Sequence, residues 1–195
     1  MKVLIFLLIF IFILSVVAII KLEKNEVKYV KSTIDNNEYL VRDLPDKVDA
    51  ANLLAKLKVN MFKLKNHLME NKEKEKYDKY KEYIEQLDSR ISDVVINEST
   101  PDSSYTSYSV NKGEQIVFCL RSKYDGSLHD LNLLMYVAIH ELAHVACPEY
   151  GHTDLFKKIF AFLAKKSIEL NIYKKIDFPE DPTEYCGMII SESII

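Results

Sequence analysis

Apolar residues follow several distinct patterns along this chain. From Val3 to Ile20 they are continuous, "VLIFLLIFIFILSVVAII", with Ser15 the sole polar residue and Lys2 and Lys21 at the ends. As a helix the run is about 27 Å long, close to the roughly 30 Å of a hydrocarbon core. A cleaved signal peptide has a shorter apolar region of about 7–15 residues, although "VVA" ending at Ala18 resembles a cleavage site. Residues 1–21 are therefore expected to form a transmembrane anchor, meeting the membrane through 3–20. Lys21, Lys24, Lys28 and Lys31 follow the segment and only Lys2 precedes it. Positive-inside counting then makes a single-pass protein with its C-terminal domain in the cytosol. The alternative is a secreted or lumenal protein after signal cleavage, towards which the sequon Asn97-Glu98-Ser99 leans.

Residues 22–44 are mixed and charged and read as a stalk. From Asp43-Leu44-Pro45, which resembles a helix start, the period changes to helical. Val48, Ala51, Leu54, Leu57, Met61, Leu64 and Leu68 mark one amphipathic helix, and Tyr77, Tyr80, Ile84, Leu87 and Ile91 a second. These give a helical region over 45–98. Past the turn-rich Ser99–Ser104 the pattern becomes short and β-branched. "TSYSV" and "EQIVFCL" flank Asn111-Lys112-Gly113 and predict a hairpin. Asp130 then caps a helix "LNLLMYVAIHELAHVAC", stopped by Pro148, and Thr153 caps another, "TDLFKKIFAFLAKKSIELN". "YKKIDFPEDPTEYCGMII" has no period.

Composition narrows this picture. Gly and Pro number 4 and 5, which favours helices over a many-turned sandwich. A net charge of -3 without a basic stripe gives no expectation of a nucleic-acid partner. Cys119, Cys147 and Cys186 are odd in number and widely spaced, so they read as core residues in a reducing compartment rather than a disulfide framework.

The candidate chemistry lies in "HELAHVACPEYGH", residues 140–152. Positions i and i+4 of a helix project from nearly one face, so His140 and His144 can present two imidazoles to one ion. Glu141 lies about 100° further round and can reach a metal-bound water without ligating the metal. This is the HExxH arrangement, with Glu141 as general base. Catalytic zinc takes three protein ligands plus water. His152 is the candidate third ligand, because Pro148 ends the helix and Gly151 permits a reversal. Glu149, Asp154 and Glu169 compete for that role. Cys147, His67 and His129 read as non-ligands.

The stretch "HELAHVACPEYGHTDLF" resembles the zincin metallopeptidases, and more narrowly the WLM and SprT-like groups. There HExxH precedes a Gly-flanked third histidine and a helix opening with an aromatic residue. The interval from His144 to His152 is longer than the short spacing of the metzincin and WLM patterns. "TSYSVNKGEQIVFCLRSK" and "IDFPEDPTEYCGM" extend a similarity to uncharacterised zincin-like proteins of large DNA viruses over roughly residues 100–190. The resemblance implies His140, His144 and His152 as ligands of one Zn2+ per chain, Glu141 as base, and a peptide or protein substrate. It implies an edge strand that binds substrate, for which Ile116–Leu120 is the candidate. It also points to Tyr185 as an oxyanion donor and Met188 as a residue beneath the metal. The expected fold is α+β and zincin-like, mainly helical with a small antiparallel sheet and the N-terminal transmembrane helix. The metallopeptidase core would span 99–195. A different class of function, an inactive zinc-stabilised scaffold that binds a partner through 45–90, has no use for Glu141.

Overall fold

The computed structural model describes the backbone of residues 2–23 and 27–195, and the side chains of 7–17 and 27–195. Helix α1 runs Lys2–Glu23. Among the described residues no helix is long and apolar enough to cross a membrane. That finding overturns the expected transmembrane helix, the membrane contact through 3–20 and the single-pass localisation. Residues 24–26 of the expected stalk lie outside the described residues.

The rest of that stalk carries an antiparallel hairpin, β1 (Val27–Lys31) and β2 (Glu38–Arg42), paired from Val27↔Arg42 to Lys31↔Glu38. Strand β2 buries Tyr39 and Val41 and leaves Glu38 exposed, an alternation that places one face on the core. The sequence reading missed it because its polar residues mask the period of two.

Helix α2 (Lys47–Asn71) starts later than Pro45 suggested. Its N-cap Asp46 makes no side-chain cap. The Asp46 carboxylate instead receives two hydrogen bonds from Arg121, at 2.6 and 2.8 Å. Arg121 also donates to Glu98 at 2.8 Å, and Glu98 accepts from the Arg42 backbone at 2.7 Å. This ion network ties β2, the α2 start and the sheet together. The apolar stripe of α2, from Leu54 through Leu57, Met61 and Leu64 to Leu68, is fully buried. Each such side chain contributes about 1.5–3 kcal/mol when removed from water. A short 3-10 turn (Glu75–Tyr80) leads to α3 (Lys81–Ile91), which buries Ile84, Leu87 and Ile91. Both helices share one apolar core with the C-terminal half.

The central sheet has the order β3-β5-β4. Strand β3 (Val95–Glu98) runs parallel to β5 (Gln115–Phe118), and β4 (Tyr108–Val110) runs antiparallel to it. The sheet is thus mixed, not the small antiparallel one expected, and two further two-stranded sheets accompany it. The predicted hairpin is β4–β5. The unpredicted parallel neighbour β3 is only four residues of "VINE", too short to show a period. Helices α4 (Leu131–Ala146) and α5 (Asp154–Glu169) pack together. Asp130 caps α4 by accepting from Asn132 N at 2.8 Å, and Thr153 caps α5 by accepting from Phe156 N at 3.3 Å. The chain closes with a second hairpin, β6 (Thr183–Tyr185) and β7 (Met188–Ile190), turned by Cys186-Gly187 with both φ positive.

Cys119 and Cys186 form a disulfide with Cα atoms 6.3 Å apart. This corrects the expectation of three unpaired core cysteines; among the described residues Cys147 alone is free, and it is buried. The pairing was invisible because 67 residues separate the partners and no short spacing marks them.

Candidate metal centre

Helix α4 is buried almost throughout, and this fixes the rotation at which it presents His140 and His144. One turn apart, their Nε2 atoms lie 3.1 Å from each other. The chain leaves α4 at Cys147, reverses at Gly151 (φ +80), and returns with His152 just before the α5 cap. The His152 Nε2 lies 3.2 Å from both other Nε2 atoms. Among the described residues this trio is the one group of three or more potential ligand residues whose donor atoms converge on a metal-sized space. Nitrogen ligands at about 2.0–2.1 Å in tetrahedral array stand roughly 3.3 Å from one another, so the spacing fits a zinc-sized ion. The cluster is compatible with a metal site.

Helix α5 supplies the apolar backing. Phe156 stacks on His144 with centroids 4.2 Å apart, and Phe160 meets His140 edge-on at 5.2 Å. Burial, aided by the neighbouring imidazoles, holds the His140 pKa down at about 3. Burial, then His152 and Lys112, lowers His144 to about 4. Both rings are therefore neutral at pH 7, the form that ligates metal. Glu141 is only 4% exposed, and burial raises its carboxyl to about 7.

The competing ligands lie elsewhere. Glu169, at the far end of α5, pairs with Lys166 at 2.6 Å. Glu149 and Asp154 do not join the histidine cluster, and neither does buried Cys147. His129 accepts from Cys186 N at 3.3 Å beneath the β6–β7 turn. His67 sits on α2.

A cleft of about 650 Å³ opens beside the histidines. One wall is Thr106–Ser109, including the start of β4; the other is the β6–β7 hairpin with Glu192. The floor carries Tyr136, Val137, His140 and Glu141. Strand β4 is the free edge of the sheet on this side, whereas β5 is paired on both sides. Ile116–Leu120, the substrate strand expected from the sequence, is thus interior at β5, and β4 holds the edge position. Tyr185 is buried, lines the cleft, and shares a hydrogen bond of 2.5 Å with Ser107 Oγ. Burial raises its pKa. Met188 is 48% exposed on the cleft wall. Ser107 escaped sequence reading, since nothing marks one serine among the several of "SSYTSYS".

No family model matches the chain. The "Uncharacterized protein R325" of Acanthamoeba polyphaga mimivirus is 50% identical over 187 residues, covering 94% of each chain. This chain belongs to the family of that mimivirus protein. "Uncharacterized protein 136R" of Invertebrate iridescent virus 6 is 41% identical over 69 residues, 34% of this chain and 38% of its own. "Uncharacterized protein 042R" of Invertebrate iridescent virus 3 is 38% identical over 84 residues, 42% of this chain and 50% of its own. Among solved structures, Wss1 from Saccharomyces cerevisiae aligns with a TM-score of 0.49 and 22% identity, covering 67% of this chain and 87% of that one.

Proposed function

We propose that this viral-family protein is a zinc-dependent peptidase that hydrolyses peptide bonds held extended along β4. His140, His144 and His152, whose Nε2 atoms converge, would hold one Zn2+. A zinc ion in such a site acidifies water and polarises a carbonyl oxygen. Glu141 is the general base: it accepts a proton from the attacking water and delivers it to the leaving amine nitrogen. The Tyr185 hydroxyl, oriented by Ser107, donates towards the carbonyl oxygen as negative charge builds there. The free backbone of β4 pairs with the peptide as an added strand.

One observation carries this reading: three Nε2 atoms within 3.2 Å of one another, in a cleft that also buries Glu141. The test compares metal content and peptide hydrolysis of the wild type and Glu141→Gln. About one zinc per chain in both, with hydrolysis lost only in the variant, is the expected outcome. Equal hydrolysis by both proteins would remove Glu141 from the reaction. Zinc retained with no hydrolysis by either would leave a structural site.

A further inference from the structure

Two of the three imidazoles are fixed by α4, but His152 is exposed and rides on the connection between helices. That connection is held from outside. Lys112 Nζ donates to the Cys147 carbonyl at 2.8 Å and the Glu149 carbonyl at 2.9 Å, with His144 O at 3.5 Å. An ammonium has three hydrogens to donate; the two short bonds go to the 147–151 connection leading into His152, and the long third contact goes to the last turn of α4. The same Nζ lies 4.4 Å from the Tyr150 ring centroid, within cation–π range. Lys112 reaches this place from the β4–β5 turn with φ +55, a conformation a lysine adopts only at a cost. Next to it Gly113 has φ +122, and a Cβ there would stand 2.9 Å from Arg90 O and 3.0 Å from Val145 Cγ1. The turn is therefore pressed against the C-terminus of α4, where Arg90 also donates to Val145 O at 2.6 Å.

We infer that Lys112 is a positioning residue for the third metal ligand: the β4–β5 turn holds the 147–151 connection so that His152 meets His140 and His144. This rests on the zinc reading given above. It also joins the strand proposed to bind substrate to the loop proposed to bind metal, through a single side chain.

The test uses Lys112→Asn, which keeps a residue tolerant of positive φ in the turn and removes the ammonium. Zinc affinity is measured on the full chain by competition with a chromophoric chelator, in the wild-type and His152→Ala backgrounds. Outer contacts that orient a ligand are worth about 10–100-fold in metal affinity, so Lys112→Asn is expected to weaken binding at least about ten-fold. In the His152→Ala background it should change affinity by less than about two-fold, because the loop then carries no ligand. The same loss in both backgrounds would overturn the inference. Amide hydrogen exchange of the metal-free proteins gives a second reading. Exchange at 149–152 should quicken by about ten-fold or more while α4 and α5 keep their protection; unchanged exchange there would also overturn it. A wild type that binds no zinc would sink the metal reading, and the exchange measurement would still decide whether Lys112 holds the loop.

Discussion

Tyr185 and His129 are neighbours, with ring centroids 5.2 Å apart, yet their polar partners differ. Tyr185 lines the cleft, and its hydroxyl has Ser107 as its partner; its role as oxyanion donor is the one proposed above. Removing an oxyanion donor costs about 10²–10³ in kcat, and Tyr185→Phe is expected to lose that much at nearly unchanged KM in steady-state assays. His129 sits behind it, accepting from Cys186 N, and burial lowers its pKa against the opposing pull of Glu184 and Asp125. A depressed histidine pKa has a definite sign. Below about pH 6.5 the unfolded chain binds a proton that the folded chain resists, so stability falls as pH drops from there through the folded pKa. Thermal melts between pH 7 and pH 5 should show a shallower decline for His129→Gln than for wild type. An equal decline would mean that His129 carries none of the linkage.

Strand β4 puts the proposed substrate interaction on main-chain atoms, so affinity should depend on the peptide's own amides. N-methylation of a substrate amide that pairs with β4 is expected to reduce kcat/KM by about ten-fold, since one to two hydrogen bonds are worth ~1–1.5 kcal/mol. Insensitivity at every position of a methyl scan would exclude strand addition. The helices of the site were legible in the sequence, since period, caps and the Pro148 stop all act locally. Asp130 and Thr153 cap where they were expected to. Elements defined by distant partners were not legible. Whether β4 or β5 holds the edge depends on β3, which pairs with β5 and so makes it interior. Lys112 looked like an ordinary turn residue because its acceptors lie 32 to 37 residues further on. The apolar run of 3–20 met a length rule, but among the described residues no helix is long and apolar enough to cross a membrane.

Across the described residues, α2 and α3 share one apolar core with α4, which carries two histidines of the candidate metal centre. Leu57→Ala, at a fully buried position on α2, should destabilise by about 2–5 kcal/mol in chemical denaturation. The Arg121 network is sharper still. Arg121 is 3% exposed, and truncating it to Met would strand the buried Glu98 carboxylate at a cost of about 3–5 kcal/mol. A loss below 1 kcal/mol would show that water replaces the guanidinium. The Cys119–Cys186 bond closes a loop that contains α4, α5, the three histidines, Glu141 and Tyr185, while the Thr106–Ser109 wall and Met188, Ile190 and Glu192 of the opposite wall lie outside it. A cut anywhere within that loop, including one made by a second copy of the protein, leaves two pieces still joined. A nicked molecule would migrate as one band without reductant and as two with it. Intactness on a non-reducing gel is therefore no guarantee of an unbroken backbone, and activity losses in stored protein should be compared with the reduced pattern.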